Sequence, residues 1–430
     1  MLMTAQKARV FRLAKEGGWL VLGQIATVAG SLVLVRVLTE YLSPAQYGQL
    51  ALGLTVAGLV NQVVMGGLIN GVGRFYSIAA EKQDLSGYLI ASKHLLMYAT
   101  GVIVVAGLLL LAGLGLLGYT QWCGLAATAL ILSVLSGYNS ALSGIQNAAR
   151  QRAIVAFHSG LDAWLKIALA LGVLYWLGAS STAVVIGYTC SSFLITFSQL
   201  IFLRRVTRVE SANPAKDRTW MRQMWAYSLP FSIFGTFTWL QQVSDRWALQ
   251  SYASVTEVGE YAVLFQLGYT PIALATGLIT NFLGPILYQR SGDATDPTRN
   301  ANVHHLSWRV TQLSLLATLL GFVFTLALHE WLFRGLVAIE YRGDSYLLPW
   351  VVLAGGVFSS GQILASKLLS EMRTSSLTMV KIITSLVGVF CNFLGAAFAG
   401  IIGVVVSLVM FSLIHFVWIA ILSRKIDVEI

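Results

Sequence analysis

Three ionisable side chains, His158, Asp162 and Lys166, stand four residues apart within one long apolar run. On a helix that spacing stacks them on a single face, where a carboxylate and an ammonium can pair. If the run crosses a bilayer, Asp162 lies about nine residues from its inner end, roughly 14 Å deep and close to the midplane. Charge at that depth is expensive, and by default it faces a partner or a wet cavity rather than lipid. Two readings follow: an ion pair that neutralises itself and ties helices together, or a coupling site at which Asp162 or His158 takes up and releases a proton. Under a third, Lys166 holds a phosphate. Arg36 and Arg246 are embedded near the ends of two other apolar runs, and Asp245, a further ion-coupling candidate, adjoins Arg246. They read either as a cationic rim receiving an anionic head group, or as arginines reaching to the interface, Arg246 paired with Asp245.

Uncharged polar groups form stripes at helical spacing. Ser136, Asn139, Ser140, Ser143, Gln146 and Asn147 mark one run, and Ser228, Ser232, Trp239 and Gln242 another. Asn61, Gln62 and Asn70, then Gln266 and Asn281, occupy two more. Such residues either line a hydrated cavity or join helix to helix. Asn61, Gln62, Asn139, Trp239 and Gln242 are the candidates for a cavity lining, and amides with tryptophan would suit sugars. Other chemistry is missing. There is no Walker-type phosphate loop, so the chain is not expected to hydrolyse nucleotide. His304 and His305 lack an HExxH or spaced Cys/His set, so neither a metal nor another cofactor is expected. Cys123, Cys190 and Cys391 are odd in number and far apart, which supports no disulfide framework. One outside segment, 329–345, carries Glu330, Glu340 and Asp344 with Arg334 and Arg342. It keeps a membrane glycan polymerase or ligase open as the enzymatic alternative to transport.

The elements that must hold these residues are transmembrane helices. The 430 residues are 57% hydrophobic and 11% charged, against roughly 45–50% and about 25% in soluble chains. A soluble surface of this size needs the missing charges. Runs long enough to cross a bilayer fall near 17–39, 48–73, 94–118, 122–148, 153–177 and 181–203. A second set falls near 225–250, 260–289, 303–328, 346–369, 376–399 and 401–422. Residues 1–16 are basic without a small-residue cleavage site, and the run after them is longer than a signal-peptide core, so a retained first helix is expected.

Charge sets the orientation. With the N-terminus inside, 23 of the 28 Lys and Arg residues fall on the inner side, in loops or at the inner ends of spans, Arg36, Lys166 and Arg246 lie elsewhere within spans, and only Arg334 and Arg342 lie outside. The positive-inside rule predicts such an asymmetry and puts both termini in the cytoplasm. The net charge of +10 is therefore topological. The basic residues form no single patch, and no nucleic-acid partner is expected.

The basic stretch 204–224 divides the chain into six-helix lobes, 1–203 and 225–430. Gln46-Tyr47-Gly48-Gln49-Leu50-Ala51 is echoed 211 positions later by Glu257-Val258-Gly259-Glu260-Tyr261-Ala262. Both segments open the second helix of a lobe. Six helices per lobe make this a parallel repeat, related by an axis along the membrane normal, with the substrate path between the lobes. Ser43-Pro44 looks like a helix cap and first-turn proline.

Arg36, Leu38, Thr39, Leu42, Ser43, Pro44, Gln46, Tyr47 and Gly48 follow an order of arginine, leucine, proline, aromatic and glycine. Tyr227, Pro230, Asp245-Arg246 and Val258-Gly259-Glu260-Tyr261 open the second half similarly. In these motifs, over 17–90 and 225–290, the chain resembles the polysaccharide-transport family, the O-antigen-type lipid-linked oligosaccharide flippases of the multidrug/oligosaccharidyl-lipid/polysaccharide exporter superfamily. The resemblance implies an all-α integral membrane protein with two six-helix lobes around a central cavity, working by alternating access. It implies a bacterial cytoplasmic (inner) membrane location and a polyprenyl-diphosphate-linked oligosaccharide moved to the outer leaflet. Membrane lipid, H+ or Na+, and polysaccharide-assembly enzymes would be its partners. Arg36 and Arg246 match the motif and would neutralise the diphosphate; Lys166 joins them by position. The alternative within the superfamily is a cation-coupled drug antiporter.

Overall fold

A computed structural model describes the backbone of residues 2–206, 214–291, 296–371 and 374–424. Side chains are described for 17–203, 218–284, 286–288, 290–291, 296, 298–371 and 376–424. The expected basic groups at Lys7, Arg9, Arg12, Lys15, Arg204, Arg205, Arg208, Lys216, Arg373 and Lys425 lie outside the residues whose side chains are described.

The described residues are helical, with no strand among them. In chain order the helices are α1 (Leu2–Tyr41), α2 (Pro44–Leu59), a π-turn (Val60–Met65), α3 (Gly66–Glu81) and α4 (Leu85–Leu116). Next come α5 (Cys123–Ala148), α6 (Arg152–Leu177), α7 (Ser181–Val206) and α8 (Pro214–Tyr252). The last five are α9 (Val255–Gly268), α10 (Thr270–Ser291), α11 (Pro297–Leu336), α12 (Leu348–Ser370) and α13 (Thr374–Arg424). Ten stretches are long and apolar enough to cross a membrane, α2 with α3 and α9 with α10 each counting once. The chain is a multi-pass membrane protein. Two of the twelve expected spans escape that test for separate reasons. Ser228, Ser232, Gln241, Gln242, Asp245 and Arg246 dilute the hydropathy of α8. The spans read at 376–399 and 401–422 are the two arms of α13, which bends where Ala399 and Gly400 leave helical geometry. Gly400 has φ +53°, a left-handed conformation that costs glycine little.

Burial is inverted relative to a soluble protein. Leu109 and Phe398 are 69% and 86% exposed, whereas His158, Asp245 and Lys367 are at most 3% exposed. Large apolar side chains on the outside mark a surface made for lipid.

Contacts divide the chain into two compact units, 1–30 with 52–239, and 31–51 with 240–430. In the first, small residues allow close helix crossings. Gly67 and Gly71 of α3 meet Ser232 and Ser228 of α8, and Gly235 meets the backbone of Gln62. Gly23 and Gly30 of α1 rest on Ala156 and Ala163 of α6. Met65, Leu68, Val72, Tyr88, Trp220 and Met224 share an apolar core.

In the second unit, α12 is the most enclosed element and packs against α10, α11 and α13. The arms of α13 close on each other at Gly395 and Gly403, and Ser407 Oγ donates to the carbonyl of Cys391 at 2.7 Å. Two expectations change here. The outside segment 329–345 is half helix, because α11 continues to Leu336. Phe333 is buried, and the Arg342 guanidinium satisfies the helix end by donating to the carbonyls of Val337 at 3.0 Å and Arg334 at 3.2 Å. Lys367 is not a loop charge. It is sealed at the end of α12, where Nζ lies 3.0 Å from His304 Nδ1, donates to the Ser423 carbonyl at 3.0 Å and pairs with Glu371 at 3.4 Å.

Candidate functional site

On α6 the four-residue spacing works as helical geometry requires. Lys166 Nζ donates to Asp162 Oδ2 at 2.6 Å, and Ser191 of α7 donates to Oδ1 at 2.9 Å. About a quarter of each charged side chain remains accessible, 24% for Asp162 and 28% for Lys166. The pair is thus neither sealed nor solvated. His158, one turn earlier, is fully buried. Its Nδ1 lies 2.8 Å from the Ile154 carbonyl, and its Nε2 lies 3.0 Å from Ser198 Oγ. A carbonyl only accepts, so Nδ1 carries a proton; in the neutral ring Nε2 accepts from Ser198. The ring sits edge-on between Phe157 and Phe202. Asn139 of α5 is spent on α7, donating to the Ser192 carbonyl at 3.1 Å and accepting from Thr196 at 2.7 Å. Its amide ties helices together.

Asn61 and Gln62 lie in the π-turn, a geometry that recurs at functional positions in helices. Asn61 donates to the Ala57 carbonyl at 3.1 Å. In the same unit, Trp239 donates its indole N–H to the Thr55 carbonyl at 2.9 Å and lies beside Gly58. The structure therefore brings Trp239 alongside the helix that carries the two amides.

The second unit holds Asp245, Arg246, Gln242 and Arg36. Asp245 is buried and accepts from Tyr261 at 2.7 Å and from the Arg246 backbone N–H at 2.7 Å. The Arg246 guanidinium is 3.6 Å from Asp245, donates to the Gln242 carbonyl at 2.9 Å and lies 4.9 Å from the centre of the Phe265 ring. Phe265 in turn stacks on Tyr269 at 4.4 Å. Arg36 pairs with Glu40 at 2.7 Å and lines a cavity of about 550 Å³ beside the segment that follows α11. Sequence reasoning missed Glu40, although its i,i+4 spacing from Arg36 was visible. It also missed Tyr261, Ser191 and Ser198, which no spacing rule connects to their partners. Among the described residues no cluster of His, Cys, Asp and Glu is arranged to hold a metal ion.

Chemically, the spans hold acid–base pairs, Arg36–Glu40, Asp162–Lys166 and Asp245–Arg246.

Solved structures place this architecture. An inward-facing multidrug-resistance MATE transporter of the MOP superfamily matches with a TM-score of 0.64 at 13% identity, over 98% of this chain and 99% of its own. A MOP-superfamily transporter from Pyrococcus furiosus, described as having a binding pocket of reverse polarity, gives 0.63 at 14%, over 96% and 97%. A mutant MATE transporter from Vibrio cholerae gives 0.62 at 16%, over 98% of both chains. At these identities the likeness shows the fold, the all-α MOP-transporter fold of twelve transmembrane helices in two lobes. Within that class, the sequence profile of the polysaccharide biosynthesis protein family matches residues 13–290, more than half of the chain. The chain belongs to that family. No curated protein gives a significant match.

Proposed function

We propose that the protein is a flippase that carries a polyprenyl-diphosphate-linked oligosaccharide from the cytoplasmic to the outer leaflet by alternating access of the lobes 1–203 and 225–430. The family match over 13–290, on a chain with a transporter fold, carries this reading. A multi-pass exporter in polysaccharide biosynthesis has a lipid-linked glycan as its natural cargo.

The half-open Asp162–Lys166 pair supplies the coupling step of the proposal. With Asp162 ionised, Lys166 is held at 2.6 Å and has no charge to spare. Protonation of Asp162 releases the ammonium, which then meets the diphosphate. Ser191 keeps a hydrogen bond to the neutral acid, and His158 lies one turn away on the same face. Arg246 is a further candidate cation on the path of the diphosphate.

The test is transfer in proteoliposomes. A labelled polyprenyl-diphosphate saccharide is expected to change leaflet without forming glycosidic bonds, and Arg246→Ala is expected to slow it about tenfold, the worth of one charge-assisted contact. New glycosidic bonds would identify a polymerase or ligase. The drug-antiporter reading draws on the multidrug MATE structures that share the fold. Movement of organic cations without the lipid-linked saccharide would establish it instead, although Lys166 beside Asp162 argues against a cationic cargo.

A further inference from the structure

The cavity beside Arg36 has a lining that selects its own class of ligand. One wall is the end of α1 and the turn into α2; the other is the segment 338–342. The walls are pinned to each other. Tyr341 donates to the Leu42 carbonyl at 2.7 Å, the Ala338 N–H donates to Thr39 Oγ1 at 3.2 Å, and Tyr47 and Tyr341 meet edge to face at 5.9 Å. Burial pushes the Tyr341 phenol well above its ordinary ionisation range, so it remains a neutral donor. Ser43 and Gln46 fix the floor through a reciprocal cap, Ser43 N–H to Gln46 Oε1 at 3.1 Å and Gln46 N–H to Ser43 Oγ at 3.4 Å. The cavity is built before any ligand arrives, and its volume of about 550 Å³ falls in the range of small-molecule sites, about 300–1,000 Å³.

Its charged lining is balanced: Arg36 and Arg342 against Glu40 and Glu340. An anion would find Arg36 already paired with Glu40 at 2.7 Å and Arg342 committed to the carbonyls of Val337 and Arg334. An organic cation would meet both arginines, and an apolar ligand would strand four charges away from water. A neutral polyhydroxylated ligand meets none of these penalties. Every hydroxyl both donates and accepts, so neighbouring hydroxyls can give to a carboxylate and take from a guanidinium. Tyr41 and Ile339, both exposed, offer apolar surface at the rim for the C–H face of a sugar ring.

We propose that this cavity is a saccharide-binding site on the membrane face opposite the basic loops, receiving the glycan end of the cargo while the diphosphate is held elsewhere. The inference rests on the proposed function for the origin of the sugar, not for the chemistry of the site.

The experiment is cysteine protection. Ile339→Cys, with Cys123, Cys190 and Cys391 changed to Ala, is labelled by an impermeant maleimide in nanodiscs. Protectants are a panel of neutral hexose and N-acetylhexosamine disaccharides, with pyrophosphate and tetraphenylphosphonium as charge controls. At least one disaccharide is expected to slow labelling severalfold, while neither control does. Glu40→Gln and Glu340→Gln are each expected to raise the protecting concentration roughly tenfold with an unchanged melting temperature. Protection by pyrophosphate or tetraphenylphosphonium alone, or by nothing, overturns the site. Lipid-linked saccharide transfer measured on the same variant separates the two proposals. Transfer without protection removes the cavity and leaves the flippase; protection without transfer does the reverse.

Discussion

Asp162 and Asp245 are both carboxylates inside spans, and their surroundings give them different tasks. Asp245 is sealed and accepts from Tyr261 and the Arg246 backbone, so it has little freedom to exchange partners. Asp162 keeps 24% of its side chain open and shares its oxygens between Lys166 and Ser191. Asp162→Asn imitates the protonated acid and leaves Lys166 without its counter-charge. In liposomes the pH dependence of transport is expected to differ between Asp162→Asn and the wild type, while the diphosphate binds the variant more tightly. A profile unchanged by the substitution would leave the pair with a structural task only. Asp245→Asn is expected instead to cost about 1–3 kcal/mol of stability, read by thermal melting, because a buried hydrogen-bonded charge loses its match to Arg246. The ion pair on α6 was legible because i,i+4 spacing is local. The Tyr261 hydroxyl was not, because sixteen residues and a helix turn separate it from Asp245.

At the level of elements, the repeat read in the sequence has a physical counterpart. Ser43 caps α2 and Ser254 caps α9, with Gln46 and Glu257 at matching places in the first turn. A β-carbon on Gly48 would overlap the carbonyl oxygen of Val255, and one on Gly259 would overlap that of Pro44. Each pair is related by the same 211-residue offset, so the two helix starts cross reciprocally about a local two-fold axis. The echo was visible as letters; that the two copies touch was not, because a sequence does not say which faces meet. Gly48→Ala and Gly259→Ala are each expected to cost about 1–3 kcal/mol through overpacking. The double variant should cost clearly less than the sum, since either methyl alone already separates the helices. Strict additivity in thermal melting would mean that the two glycines do not share one crossing.

On the scale of the whole chain, the number of spans was legible because hydropathy averages over about 20 residues and tolerates local exceptions. The break between the stretches read at 376–399 and 401–422 falls at Ala399 and Gly400, where α13 leaves helical geometry. α8 is the opposite case. Its polar side chains dilute its hydropathy, and the alternation of basic loops supports the crossing read at 225–250. Orientation rests on the same alternation. Two cysteine positions test it directly. Gly343 is exposed, and a β-carbon placed there meets nothing within 4 Å, so Gly343→Cys should be tolerated. Ser211→Cys falls in the basic connector. In intact cells an impermeant maleimide is expected to label position 343 and to spare position 211, which reacts only after permeabilisation. The reverse pattern would place the Arg36 cavity on the cytoplasmic side. It would then meet the glycan before transfer rather than after it.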